Sequence, residues 1–129
     1  MGNKSEMLAK CRIEKAQECA KAAEKLLEAG LYGHSANRSY YTMFHAIRAV
    51  LAPDQVDFRT HEDVLSYFRR RYIITELFPE KYITVAEQAY RIKEESDYED
   101  FFEPSQEEAV NLFQQACGFL DAVREYLEK

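Results

Sequence analysis

The chain has 129 residues, 47% apolar and 31% charged, with a net charge of −6. That length fits one domain, expected over residues 1–129, with a core large enough to need no metal or disulfide. The acidic balance weighs against broad nucleic-acid binding, which basic surfaces carry. The three cysteines, Cys11, Cys19 and Cys117, contain no CxxC pair and match no metal-ligand spacing; they read as buried, reduced thiols. No stretch is apolar enough for a signal peptide or a membrane span, so a cytoplasmic protein is expected.

Asn3 followed by Glu6 is a helix-start pattern. Leu8, Cys11, Ala16, Cys19, Ala23, Leu26 and Leu27 then recur at helical spacing up to Gly30, a residue suited to ending a helix. A second helix is predicted from about His34 to Ala52, stopped by Pro53. Thr60 caps a third, with Val64, Leu65, Phe68 and Tyr72 as its inner stripe. Pro79 is placed to start a fourth, whose stripe is Tyr82, Ile83, Ala86, Ala89, Tyr90 and Lys93. The acidic, aromatic segment from Glu94 to Pro104 reads as a loop. Ser105 and Glu108 form a capping box for a last helix carrying Ala109, Leu112, Phe113, Ala116, Phe119, Leu120, Val123 and Leu127. With four Gly and three Pro in all, strands and turns are disfavoured. The expected fold is all-α: an up-and-down antiparallel four-helix bundle with room for one additional short helix.

The second helix carries the most chemistry. At about 100° per residue, Ala36, Tyr40, Met43, Phe44, Ile47 and Leu51 share one side, the expected core face. Arg38 and His45, seven apart, project within roughly 20° of each other and away from it. His34, Tyr41, Thr42, Ala49 and Ala52 share their side, with Arg48 on the flank. A face that merely meets water carries Glu and Lys; this one has no acid. An imidazole can take and return a proton near neutral pH, and a guanidinium can hold a phosphate and the charge that builds on it. The pair could cleave a phosphodiester through a 2′-hydroxyl without metal, and it could equally well only bind a phosphate.

Elsewhere the pattern favours structural roles. Arg69-Arg70-Arg71 reads as a charged helix face. His61, at a helix start where positive charge is disfavoured, reads as neutral and hydrogen-bonded. Asp97-Tyr98 after Arg91 reads as an ion pair and a buried ring pinning a loop. The acids from Glu94 to Glu103 match no calcium loop.

Leu27-x-x-Gly30-x-Tyr32, Ala36-x-Arg38-Ser39-Tyr40-Tyr41-x-Met43-Phe44-His45-Ala46, Thr60-His61 and Arg91-x-x-x-x-Ser96-Asp97-Tyr98 follow one another along nearly the whole chain. Together they resemble the signature of the HEPN domains of prokaryotes. The resemblance implies a bundle that forms a homodimer through its second helix, and an arginine separated from a histidine by a few residues; here six intervene. In nuclease members, two copies form a metal-independent RNA-cleaving cleft. Carried over, Arg38 and His45 are the catalytic pair, with His45 as acid and base. Arg38, Tyr41, Thr42 and Arg48 are the phosphate- or nucleotide-binding set. No metal and no cofactor is implied. Short members of this type are toxin-like partners of a minimal nucleotidyltransferase. The alternative is a non-catalytic module that binds nucleotide or the nucleotidyltransferase through the same face. Two positions depart from the pattern: Ser39 stands where many nucleases have Asn, Asp or His after the arginine. Ile47 stands where members silenced by tyrosine adenylylation have Tyr.

Overall fold

Each helix starts and stops at an identifiable chemical signal. The computed structural model describes residues 3–129, in which α1 (Asn3–Glu28), α2 (Tyr32–Leu51), α3 (His61–Phe68), α4 (Glu80–Tyr98) and α5 (Gln106–Leu127) follow in order. A 3₁₀ turn over Ala52–Asp54 ends α2, and a π-helical turn over Arg69–Ile73 extends α3. No strand occurs among the described residues. The four long helices are α1, α2, α4 and α5, and α3 is the short additional one, as the pattern predicts.

Gly30 sits at φ +78°, a left-handed conformation that suits glycine. Leu31 N donates to Leu26 O at 2.9 Å and Gly30 N to Leu27 O at 3.0 Å, closing α1 with a Schellman motif. The chain then reverses. Ser35 Oγ donates to Ala23 O at 2.8 Å, and Arg12 Nη1 donates to Arg48 O at 2.8 Å. Early α1 therefore lies against late α2 and late α1 against early α2, which makes the pair antiparallel. Pro53 falls within the 3₁₀ turn that stops α2. Asp54 in that turn accepts from the Tyr67 and Tyr72 hydroxyls at 3.0 and 2.6 Å, fastening it to α3 and the π turn. Thr60 accepts from Asp63 N, and the Ser105/Glu108 capping box is complete in both directions. The core holds Tyr40, Met43, Ile47 and Leu51 of α2 with Phe68, Tyr72, Ile83, Leu112 and Phe119.

Five local expectations need correction. First, α4 runs to Tyr98, so the loop spans only 99–104. Lys93 lies 3.3 Å from both Glu94 and Asp97, and Arg91 lies 3.8 Å from Glu95, so cations one turn upstream offset the acidic repulsion. Second, Tyr98 is 76% exposed, and Arg91 pairs with Glu95, not Asp97. Third, Pro79 caps α4 from outside in extended conformation and is not its first residue. Fourth, Leu8 and Cys11 are exposed. The buried line of α1 is Ala9, Arg12, Ala16, Cys19 and Ala23; apart from Arg12 its side chains are small and let it approach α2. Fifth, Thr42, Ala49 and Ala52 are buried rather than outward. The cap expected of Asn3 falls on a side chain outside the described set. No helix among the described residues is long and apolar enough to cross a membrane.

Candidate functional site

Because α2 packs against α1, α4 and α5, its surface divides into three sectors instead of two. One faces the core. A second, holding Ser35, Thr42, Ala46 and Ala49, is closed by α1. The third stays at least partly open and holds His34, Asn37, Arg38, Tyr41, His45 and Arg48. Of the expected set, Arg38, Tyr41, His45 and Arg48 share this strip. Thr42 does not; its buried hydroxyl donates to Arg38 O at 2.9 Å, one turn back in its own helix. A small residue on this line serves the α1 contact, so Thr42 is not placed to touch a phosphate.

Below the strip lies a floor of rings. His61 stacks on Phe44 with centroids 4.3 Å apart, and its Nδ1 lies 2.9 Å from Tyr40 Oη. Tyr41 meets His61 edge-on at 5.8 Å, and Tyr90 stands 5.3 Å from Tyr40. Burial, then the charge on Lys93, lower the His61 pKa. The hydrogen bond expected of His61 is present, and the downward pKa shift runs in the direction of the neutral ring expected at a helix start. Tyr90 donates to Glu62 at 2.9 Å, tying α4 to α3 under the same floor.

Along the strip the charge is positive in the middle and compensated at both ends. Asp57 lies 3.7 Å from Arg48 and 4.0 Å from Arg12 at one end. Asp97 lies at the other, beside Asn37 and Lys93. The absence of acid on α2 itself is thus true of the helix, while its neighbours supply one carboxylate at each end. Arg38 donates from Nε and Nη2 to Asn37 Oδ1 at 3.1 and 2.8 Å, and its guanidinium lies over the Tyr41 ring at 5.0 Å.

His45 is part-buried, between Tyr41 and Phe44 at centroid distances of 6.0 and 5.9 Å. Burial lowers its pKa first; Arg48, Lys15, Arg38 and Arg12 add to the effect, and together they bring it to about 4. At neutral pH the imidazole is uncharged amid four cations. Its Nδ1 is enclosed with no hydrogen-bond partner among the described residues. Buried polar atoms are rarely left so. Among the described residues no group of His, Cys, Asp or Glu is arranged to hold a metal ion.

Three contributors were not singled out from sequence. Arg12 lies on the buried line of α1, three or four residues from Ala9 and Ala16; a charge on an otherwise small, apolar line was its signal. Lys93 was placed on the inner stripe of α4, where a buried charge is rare enough to ask for partners. Asn37 precedes Arg38 and gave no signal, since its role depends on Asp97 being near.

The HEPN domain model matches residues 9–126, which is most of the chain. This chain belongs to the HEPN family. A Methanocaldococcus jannaschii protein named "Putative toxin" is 30% identical over 115 residues, covering 89% of this chain and 78% of its own. A "UPF0332 protein" of Archaeoglobus fulgidus is 30% identical over 123 residues, 92% of this chain and 94% of that one. Another, from Thermotoga maritima, is 26% identical over 126 residues, 98% and 96% of the two chains. The HEPN resemblance read from the motifs is thereby established, and toxin-like proteins are among the chain's relatives.

Proposed function

We propose that this HEPN protein is a single-domain, cytoplasmic, toxin-like ribonuclease that works as a homodimer, needs no metal, and is paired with a minimal nucleotidyltransferase. The observation that carries the reading is the placing of the His45 imidazole on the partly open strip of α2 with Arg38 and Arg48, where burial and these and neighbouring cations lower its pKa. Those cations suit a phosphate. In the reaction, the 2′-hydroxyl of RNA attacks the adjacent phosphorus while His45 accepts its proton. Arg38 holds the non-bridging oxygens and the charge that grows on them. The second copy of His45, protonated from solvent once the bound phosphate has raised its proton affinity, gives that proton to the leaving 5′-oxygen. The two copies exchange states when the cycle resets. A bound phosphate offsets the cations around His45 and raises its proton affinity when a base is needed. Tyr41 and Arg48 flank the phosphate; Thr42, being buried, acts only through the backbone of Arg38. Pairing with a nucleotidyltransferase rests on the family likeness alone, while the toxin-like reading is supported by the name of the Methanocaldococcus relative.

The test is cleavage of mixed RNAs by wild type, Arg38→Ala and His45→Ala, with chelator present throughout. Loss of activity in both variants is expected, on the order of a hundredfold or more for the proton-transfer residue. Undiminished cleavage by His45→Ala would overturn the assignment. If wild type cuts nothing yet is stabilised against heat by phosphate or nucleotides, the non-catalytic binding module takes its place.

A further inference from the structure

The guanidinium that would hold the phosphate is itself held by the residue before it, and that residue is held from α4. Arg38 places Nε and Nη2 on one acceptor, Asn37 Oδ1, at 3.1 and 2.8 Å. The other half of the same amide, Asn37 Nδ2, donates to Asp97 Oδ2 at 3.4 Å. Asp97 is in turn 3.3 Å from Lys93 Nζ, one turn earlier in α4. Lys93 is buried to 8% exposure, and its ammonium lies over the Tyr41 ring at 5.7 Å, the ring that Arg38 also covers. Burial opposes its charge, but the carboxylates of Asp97 and Glu94 outweigh that and hold its pKa above the usual lysine value. It is therefore a fixed ammonium anchoring a fixed carboxylate.

Only one orientation of the Asn37 amide satisfies both neighbours. A flipped amide would set NH₂ against the guanidinium and oxygen against the carboxylate. We infer that Asn37 and Asp97 are positioning residues for Arg38. Asp97, anchored by Lys93, orients the Asn37 amide, and the amide oxygen holds the guanidinium on the open strip. The inference rests on the reading that Arg38 meets a phosphate. It also accounts for Ser39: its hydroxyl is buried without a partner among the described residues, so the position after Arg38 cannot do the orienting. Chemistry favours an amide here. A carboxylate next to Arg38 would orient it equally well but cancel the charge needed for phosphate, whereas an amide orients it and leaves the charge whole. The Asp97 of the Ser96-Asp97-Tyr98 motif, expected to pair with Arg91, acquires this role instead.

Two readouts test this without any cleavage. The first is the NMR signal of the Arg38 Nε–H, identified by its loss in Arg38→Lys. It should shift strongly in Asn37→Ala and Asp97→Ala and persist in Asn37→Asp. The second is affinity for a short, uncleavable 2′-O-methyl RNA. Asn37→Ala and Asp97→Ala should each weaken it by about tenfold. Asn37→Asp should also weaken it although the guanidinium stays in place. In an Arg38→Ala background, Asp97→Ala should cost nothing more. An unmoved Arg38 signal in Asp97→Ala would overturn the inference. So would wild-type affinity in Asn37→Asp, or a full further loss from Asp97→Ala on top of Arg38→Ala. Melting temperatures of all variants separate positioning from unfolding. A protein that binds this RNA but cuts none sinks the proposed chemistry and leaves this test standing.

Discussion

His45 shows how much a single environment can decide. An unfolded histidine titrates near 6.5, whereas this one is held to about 4, first by burial and then by Arg48, Lys15, Arg38 and Arg12. As pH falls through 6.5 the unfolded chain binds a proton at His45 that the folded chain refuses until near 4. The stability this residue gives is therefore whole above pH 6.5 and is lost as pH falls from 6.5 towards 4. Thermal melts at pH 7.5 and 5.0 should show wild type losing more than His45→Gln; parallel losses would contradict the environment described. His61, also lowered, is common to both proteins and cancels. Inorganic phosphate should move the NMR-measured pKa of His45 upward, because an anion offsets the surrounding cations. The seven-residue spacing that placed Arg38 and His45 together was legible in the sequence. Thr42 was misplaced because a helical wheel separates core from outside but does not show where a third helix lies against the outside. Asn37 was missed because its partner is sixty residues away in the chain.

At the scale of elements, caps and breakers were the most legible features. Thr60, Pro53, Gly30 and the Ser105/Glu108 box all act where their chemistry predicts. The end of α4 was not, since acidic composition hid the i,i+4 pairs that carry the helix to Tyr98. Two glycines give opposite predictions. Gly30 sits at positive φ, so Gly30→Ala should cost about 1 kcal/mol although nothing crowds the added methyl. Gly118 lies inside α5 with open space at its Cβ, so Gly118→Ala should add about 0.5–1 kcal/mol. Chemical denaturation of both variants checks the pair, and the same sign for both would contradict the backbone described.

For the whole molecule, the sequence was enough for an all-helical bundle, because four long amphipathic segments with short connections have few other ways to bury their stripes. Which surface of α2 stays open depended on where α1 packs, and that followed from Arg12, Ser35 and small residues on α1. The open strip is where two copies are proposed to meet. Light scattering should give twice the 15.1 kDa of the chain, and Tyr41→Glu, placing a charge mid-strip, should give monomers that still fold. Ala49 cannot serve this purpose, since it is fully buried beneath α1 and a charge there would unfold the chain.

The proposed metal-independent attack by a 2′-hydroxyl at the Arg38/His45 strip would leave a chemical signature, and the direct measurement is the identity of the RNA ends made by wild type in excess chelator. The expected ends are a 2′,3′-cyclic phosphate on one fragment and a 5′-hydroxyl on the other, both absent with His45→Gln. Ends bearing 5′-phosphate, or cleavage abolished by chelator, would contradict a metal-free His45 mechanism.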